Sequence, residues 1–147
     1  MIGEQKAAVE TEFDEQLYKE EILELYKHPL NKHALPEYTH QQEKSNPLCG
    51  DQIRIYLNIQ DQIIRDSSFE GNGCAISQAA ASLLTEKLKQ MPVKDAESLP
   101  GEEMIRMLGI PISHLRQKCA LLALQAVKGA LHFGKEGMGK REQEKWE

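Results

Sequence analysis

Three cysteines and one aspartate are the residues of this chain best suited to chemistry. Cys49 and Asp51 close the segment Asn-Pro-Leu-Cys-Gly-Asp at residues 46–51, Cys74 directly follows the run Gly-Asn-Gly, and Cys119 lies in a segment of helical periodicity. A thiolate at a helix N-terminus is favoured by the positive end of the helix dipole. A neighbouring glycine lets the backbone approach a bound ion closely. These positions indicate thiol or metal chemistry.

One tetrahedral zinc ion could be held by the four side chains together, namely Cys49, Asp51, Cys74 and Cys119. Asp51 lies two residues beyond Cys49, so in an extended segment both side chains point the same way. The separations of 25 and 45 residues between successive cysteines differ from the close ligand pairs of a zinc finger. Two plainer interpretations therefore stay open: buried cysteines that act as small apolar residues, above all Cys119, and a turn role for Asp51.

The first half of the chain predicts one helix and a β-hairpin. Asp14 can cap a helix that carries apolar residues at helical spacing, and Pro29 cannot continue it. Residues 31–47 are polar and irregular, which predicts a long loop. Residues 52–59 alternate between isoleucine or leucine and polar residues, as a half-buried strand does, and residues 63–70 form the returning strand.

The second half predicts helices. Residues 75–89 form an amphipathic helix that ends before Pro92, and residues 93–109 form one or two short helices. Ser113 caps a last helix that runs to about residue 133. One side of that helix is expected to carry Leu115, Cys119, Leu122, Ala126 and Ala130. Because strands precede helices instead of alternating with them, the fold class is α+β, with helices on one face of a small antiparallel sheet.

Composition narrows the function classes. The chain has 147 residues and a net charge of -5, which argues against nucleic-acid binding. No apolar run is long enough for a membrane span, and the first residues lack the pattern of a signal peptide, so we expect a cytoplasmic protein. We expect a flexible leader at residues 1–13, one domain at 14–133 and a charged flexible tail at 134–147.

Three segments resemble the U-type iron–sulfur cluster assembly proteins, which are IscU, SufU and the N-terminal domain of NifU. They are Asn-Pro-Leu-Cys-Gly-Asp at 46–51, Phe-Glu-Gly-Asn-Gly-Cys-Ala-Ile-Ser at 69–77 and Lys-Cys-Ala at 118–120. The resemblance covers residues 17–131 approximately. It implies an α+β fold with a three-stranded antiparallel sheet. It also implies that Cys49, Asp51, Cys74 and Cys119 hold either zinc or a nascent [2Fe–2S] cluster with its iron.

The resemblance further implies partners and roles. A cysteine desulfurase would supply persulfide sulfur, with Cys49 as the acceptor in the SufU branch and Cys119 as its rival in the IscU branch. A downstream iron–sulfur carrier or apo-protein would receive the product. In this reading the chain is no enzyme by itself, although its chemistry is like that of a sulfurtransferase. Arg116 lies three residues before Cys119, on nearly the same helix face, where its charge could stabilise a thiolate or persulfide. A solvated surface arginine is the alternative.

The branch within the family follows from the residues before the third cysteine. Arg-Gln-Lys-Cys-Ala at 116–120 is similar to SufU, whereas IscU carries a histidine directly before that cysteine and a Leu-Pro-Pro-Val-Lys segment. The 45 residues between the second and third cysteines are closer to IscU. We favour the SufU-like, zinc-binding interpretation, with the IscU-type scaffold as the alternative. A zinc domain without thiol reactivity and a thiol-redox enzyme also stay open, but the chain has no Cys-x-x-Cys.

Overall fold

The computed structural model describes residues 19–48 and 50–136. The described residues fold as an α+β domain, as the sequence predicts, with four strands where three were expected. The helix α1 covers residues 19–27 within the described chain. The other elements are β1 (His40–Asn46), β2 (Asp51–Gln60), β3 (Ile63–Asn72), α2 (Ala75–Leu88), β4 (Met91–Pro92), α3 (Val93–Glu97), α4 (Gly101–Leu108), α5 (His114–Phe133) and a 3₁₀ turn (Gly134–Glu136).

Two of the four strands were not found from the sequence. β1 lies within the segment predicted to be a loop, and that prediction was wrong. Its seven residues are all polar, so they carry no apolar alternation, yet they pair with β2 along their whole length. β4 has only two residues, too few for a periodic pattern, and Pro92 tolerates this position because β4 is an edge strand.

The central hairpin of β2 and β3 agrees with the sequence prediction to within two residues at each end. Ile53, Ile55 and Leu57 are fully buried on one face, which is the alternation that the sequence displays. Asp61 and Gln62 connect the strands, and both have positive φ angles, of 54° and 62°. This is the backbone that a two-residue type I′ turn requires, formed here without glycine.

The helices cover one face of the sheet. α5 packs on β1 and β2, α2 packs on β3, and the two helices pack on each other. α5 begins after Ser113, whose side chain accepts a hydrogen bond from the backbone of Arg116, as expected of a capping residue. Its predicted inner side needs one correction, because Leu115 is 86% exposed while Cys119 and the later apolar residues are buried. Leu115 lies in the first turn, ahead of the contact with the sheet.

The chain ends lie largely outside the described residues, among them the leader at 1–13, the start of the first helix at Asp14 and residues 137–147. The 3₁₀ turn after α5 contacts β1, where the Gln41 side chain donates a hydrogen bond to the carbonyl of Lys135. Among the described residues, no helix is both long enough and apolar enough to span a bilayer.

Candidate metal site

Asp51, Cys74 and Cys119 meet where three elements converge. Asp51 is the first residue of β2, Cys74 is the residue that precedes α2, and Cys119 lies in the second turn of α5. One ligand atom from each lies within 4.8 Å of the other two. Asp51 and Cys119 are 1% and 2% exposed, and Cys74 is half-buried. Residues 68 positions apart in the chain thus form one cluster of potential ligands.

Hydrogen bonding fixes the Asp51 carboxylate. Its Oδ1 accepts a hydrogen bond from the backbone N–H of Cys74 at 2.9 Å, so the carboxylate also satisfies a donor at the start of α2. Its Oδ2 lies 3.8 Å from the Cys74 sulfur. One carboxylate oxygen is therefore occupied by the helix start, and the other is directed toward the sulfur side.

Gly73 makes room for this carboxylate. A Cβ atom on Gly73 would lie 2.6 Å from Asp51 Oδ1 and 2.4 Å from Ser77 Oγ, both closer than atoms tolerate. The sequence marked this glycine as allowing close approach to an ion. In the structure this glycine has a further role. Because it lacks a side chain, the Asp51 carboxylate can reach the backbone N–H of Cys74.

The donor set and its spacing fit a metal ion. In a tetrahedral zinc site with arms of about 2.0 to 2.3 Å, neighbouring ligand atoms are about 3.3 to 3.8 Å apart. The 3.8 Å between Asp51 Oδ2 and Cys74 Sγ matches one such distance. The other ligand atoms lie within 4.8 Å of one another, so movements of about 1 Å would bring them to the same spacing. Cys49, the fourth residue expected here, lies outside the described residues. Its two neighbours in the chain, Leu48 and Gly50, are both exposed, and Asp51 of the cluster lies two residues beyond it.

A family model described as the NifU-like N terminal domain matches residues 17–136. The chain belongs to the NifU-like N-terminal domain family. This confirms the family that the three cysteine segments indicated.

The chain is similar to relatives named SufU and IscU. The chain is 39% identical over 83 residues to the zinc-dependent sulfurtransferase SufU of Bacillus subtilis, a match that spans 56% of either protein. It is 34% identical over 131 residues to the iron–sulfur cluster assembly scaffold protein IscU of Thermotoga maritima, which covers 78% of this chain and 92% of that one. The sequence thus shares features with relatives of both kinds.

Solved structures agree on the fold. A SufU described as an assembly scaffold protein for the SUF system, from Fervidobacterium islandicum, is 26% identical and superposes with a TM-score of 0.61 over 75% of this chain and 93% of that one. The N-terminal part of a NifU-like protein from Brucella abortus, 22% identical, has a TM-score of 0.56 over 76% of this chain and 89% of that one and shows the same fold.

In this NifU-like domain a cleft of about 600 Å³ opens onto the cysteines. Cys74 and Cys119 line it, together with Arg116 and Lys118 from the first turns of α5. The arginine thus lines the same cleft as the two cysteines, and its side chain is exposed. Its action on a sulfur anion remains a prediction.

Two leucines at the cleft are unusually exposed. Leu48 and Leu115 are 87% and 86% exposed, and both line the cleft beside the cysteines. This feature was not predicted from the sequence, because periodicity alone placed Leu115 on the inner side of α5. The position of Leu115 in the first turn of α5 could have indicated its exposure, because that turn precedes the residues that meet the sheet.

Proposed function

We propose that this chain accepts persulfide sulfur from a cysteine desulfurase at a site of three cysteines and Asp51 that binds zinc. The observation that carries the proposal is the cluster of Asp51, Cys74 and Cys119, whose ligand atoms lie within 4.8 Å of one another. Both cysteines line an open cleft. Zinc is favoured over iron for two reasons. The 39% identical relative is a zinc-dependent sulfurtransferase, and Lys118 stands directly before Cys119, where IscU carries a histidine.

Each residue has a role in this proposal. Zinc, when bound by Cys49, Asp51, Cys74 and Cys119, would keep the thiols deprotonated and protect them from oxidation. Asp51 is the hard, more exchangeable donor of the four, so the site could open there. Docking on the desulfurase would exchange the Cys49 thiolate for a ligand from the partner, and the freed thiolate would attack the terminal sulfur of the desulfurase persulfide. A new sulfur–sulfur bond forms on Cys49, and the desulfurase cysteine leaves as a thiolate.

Arg116 is the proposed stabiliser of the sulfur anion in this transfer. It lines the cleft together with Cys119, where a cation would stabilise a freed thiolate or a persulfide anion. The exposed side chains of Leu48 and Leu115 suit contact with the desulfurase, because exposed apolar residues beside a functional cleft are typical of protein interfaces. By itself the chain is a sulfur acceptor, and its sulfurtransferase-like chemistry requires the partner.

A scaffold function is the second candidate. In it the same four residues build a [2Fe–2S] cluster and transfer it to an iron–sulfur carrier or an apo-protein. The match to IscU of Thermotoga maritima, which covers 92% of that scaffold protein, supports this alternative. The 45-residue spacing between Cys74 and Cys119 also supports it.

The two candidates are separated by one purification and one assay. The protein is isolated with and without oxygen, its zinc, iron and sulfide are measured, and a desulfurase is then assayed with and without it. About one zinc per chain and faster desulfurase turnover, lost when zinc is removed, support the sulfur acceptor. A coloured iron–sulfur cluster that moves to an apo-protein supports the scaffold and contradicts the zinc proposal.

The acceptor assignment has its own test. Cys49→Ser is loaded with the desulfurase and analysed by mass spectrometry for sulfur bound to the protein. We expect persulfide to be lost in Cys49→Ser and retained in Ser45→Ala, a matched change at an exposed position of the same segment. Full loading of Cys49→Ser would exclude Cys49 as the acceptor and move the role to another cysteine.

A further inference from the structure

An apolar groove of about 360 Å³ adjoins the cysteine cleft. It lies where α1, the start of α2 and the segment before α5 come together, and four isoleucines line it, namely Ile22, Ile76, Ile110 and Ile112. Lys19 and Arg116 are the charged residues of its lining. Arg116 also lines the cysteine cleft, so this isoleucine groove and the candidate metal site share one side chain.

The described residues leave the isoleucine groove open. Leu23, which lines it, is 50% exposed. Lys19 and Arg116 are both exposed, and the ion pairs formed among the described residues involve other cations. The lining carries no aspartate or glutamate. An apolar surface between two unpaired cations suits an occupant that carries apolar and acidic side chains together.

Residues 9–15 of the chain have this composition and lie outside the described residues. They read Val-Glu-Thr-Glu-Phe-Asp-Glu, with four acidic side chains, no basic one, and Val9 and Phe13 as apolar residues. The segment also ends close to the groove, because Lys19 is both a lining residue and the first described residue. Six residues span at most about 22 Å, so Phe13 has enough chain to reach the isoleucines.

We propose that residues 9–13 dock in the isoleucine groove, with Phe13 on the isoleucines and the carboxylates of Glu10 and Glu12 beside the two cations. The chain thereby regulates its own site, an inference that rests on the proposed function because Arg116 is the proposed stabiliser of the sulfur anion. A carboxylate beside Arg116 neutralises its charge, which slows sulfur loading. Release of the segment makes the cation available to the sulfur again.

The covalent link favours this occupant over the alternatives. A second copy of the chain, or an acidic segment of another protein, would lose translational and rotational freedom when it binds the same groove. Residues 9–13 are already held near the groove through Lys19, so their docking is intramolecular and occurs at a high effective concentration. For the same contacts, the chain's own segment therefore binds in preference.

The docking is tested by NMR on the full chain, with the isoleucine δ1-methyl groups labelled and no desulfurase present. We expect nuclear Overhauser effects between the Phe13 ring and the methyls of Ile76, Ile110 and Ile112, and ring-current shifts of these methyls that disappear in Phe13→Ala. Tyr26→Ala is the matched control, since it removes a ring that is 49% exposed on α1 but does not line the groove. It should leave the Overhauser effects of Phe13 unchanged.

The same experiment distinguishes the possible occupants. A mixture of labelled and unlabelled chains separates contacts within one chain from contacts between two. Contacts within one chain support the proposal, whereas contacts between chains would assign the groove to a dimer and overturn it. Groove methyls that are insensitive to Phe13→Ala, or that shift only when a desulfurase is added, would overturn it as well.

The regulatory effect is tested with charge variants. Changing Glu10→Gln and Glu12→Gln together removes the carboxylates and keeps Phe13, and should raise the rate of persulfide loading by the desulfurase about two- to fivefold, as loss of an exposed ion pair allows. Glu4→Gln removes an acidic group outside the docking segment and should leave the rate unchanged. An unchanged rate in the double variant would overturn the regulation. Absence of loading in every variant would contradict the proposed function, whereas the docking is decided by the Overhauser effects alone.

Discussion

The two ends of the β2–β3 hairpin differ in whether their polar groups bond to one another or lie at a cleft. At the hairpin end, around the turn at Asp61 and Gln62, polar groups bind one another: the backbone N–H of Gln90 bonds to Ile64, and that of Val93 bonds to Gln62. At the cysteine end, defined by Asp51, Cys74 and Cys119, the two cysteines line an open cleft that also carries exposed leucines.

Asn31 shows a further group of polar contacts, at the last turn of α2 and away from Cys74. Its side chain donates to Thr85 and Glu86 and accepts from Lys89 Nζ at 2.7 Å, which ties the segment after α1 to the last turn of α2. Its φ angle of 59° is one that asparagine tolerates better than most residues. The comparison teaches that stability is concentrated where side chains satisfy each other. Reactivity is possible where ligand groups instead face a cleft.

The largest effect is expected from Gly73→Ala at the cysteine end. The added Cβ would displace the Asp51 carboxylate, because it would lie 2.6 Å from Oδ1, and zinc affinity should fall about tenfold or more. Competition with a chromophoric chelator measures this. Gly101→Ala is the matched control, since its Cβ meets only the end of the flexible Leu121 side chain at 3.1 Å. Unchanged zinc affinity in folded Gly73→Ala would contradict the proposed role of Asp51.

Asn31→Ala, beside the last turn of α2, should lower the free energy of unfolding by about 2 to 3 kcal/mol without changing zinc affinity. It removes the hydrogen bonds to Thr85 and Lys89 and places alanine at a positive φ angle. Asn31→Gly removes the same bonds and accommodates that angle, so it should cost about 1 kcal/mol less. Urea denaturation measures both variants. A loss of zinc in either would show that the two ends are coupled, against this comparison.

A smaller gain is expected at the turn. Gln62→Gly should stabilise the protein by about 1 kcal/mol, because glycine adopts the φ angle of 62° without steric cost and Asp-Gly suits a type I′ turn. Thermal and urea unfolding are the measurements. Gln60→Gly, within β2, should destabilise instead, since glycine in a strand costs conformational entropy. Destabilisation by Gln62→Gly would mean that the glutamine side chain stabilises the turn.

The smallest effect concerns the outer face of the sheet. Burial, followed by the hydrogen bond that its hydroxyl donates to Glu70, raises the pKa of Tyr56 to about 12. The protonated tyrosine is therefore favoured in the folded state. Its contribution to stability is present below the unfolded pKa of about 10 and is lost as the pH rises through 12. Glu70→Gln should lower the pKa, measured as the difference in tyrosinate absorbance against Tyr56→Phe. An unchanged pKa would leave burial as the sole cause.

Local patterns predicted most elements of this fold. The alternation of Ile53, Ile55 and Leu57 defined β2, and Ser113 marked the start of α5, because both patterns arise from neighbouring residues. β1 was not predicted from the sequence, because its buried positions carry Gln42 and Lys44 in place of apolar residues. Polar side chains can occupy a strand when tertiary contacts cover them, and no local periodicity reports those contacts.

The sequence by itself determined which residues could bind a metal, since three cysteine segments in the right order are typical of this family and their chemistry belongs to the side chains. Only the tertiary structure decided that Asp51, Cys74 and Cys119 meet, that Gly73 admits the carboxylate, and that an apolar groove shares Arg116 with the cysteine cleft. The reason is physical. Residue type and spacing act over a few residues, whereas the meeting of β2, α2 and α5 depends on how both helices pack on the sheet.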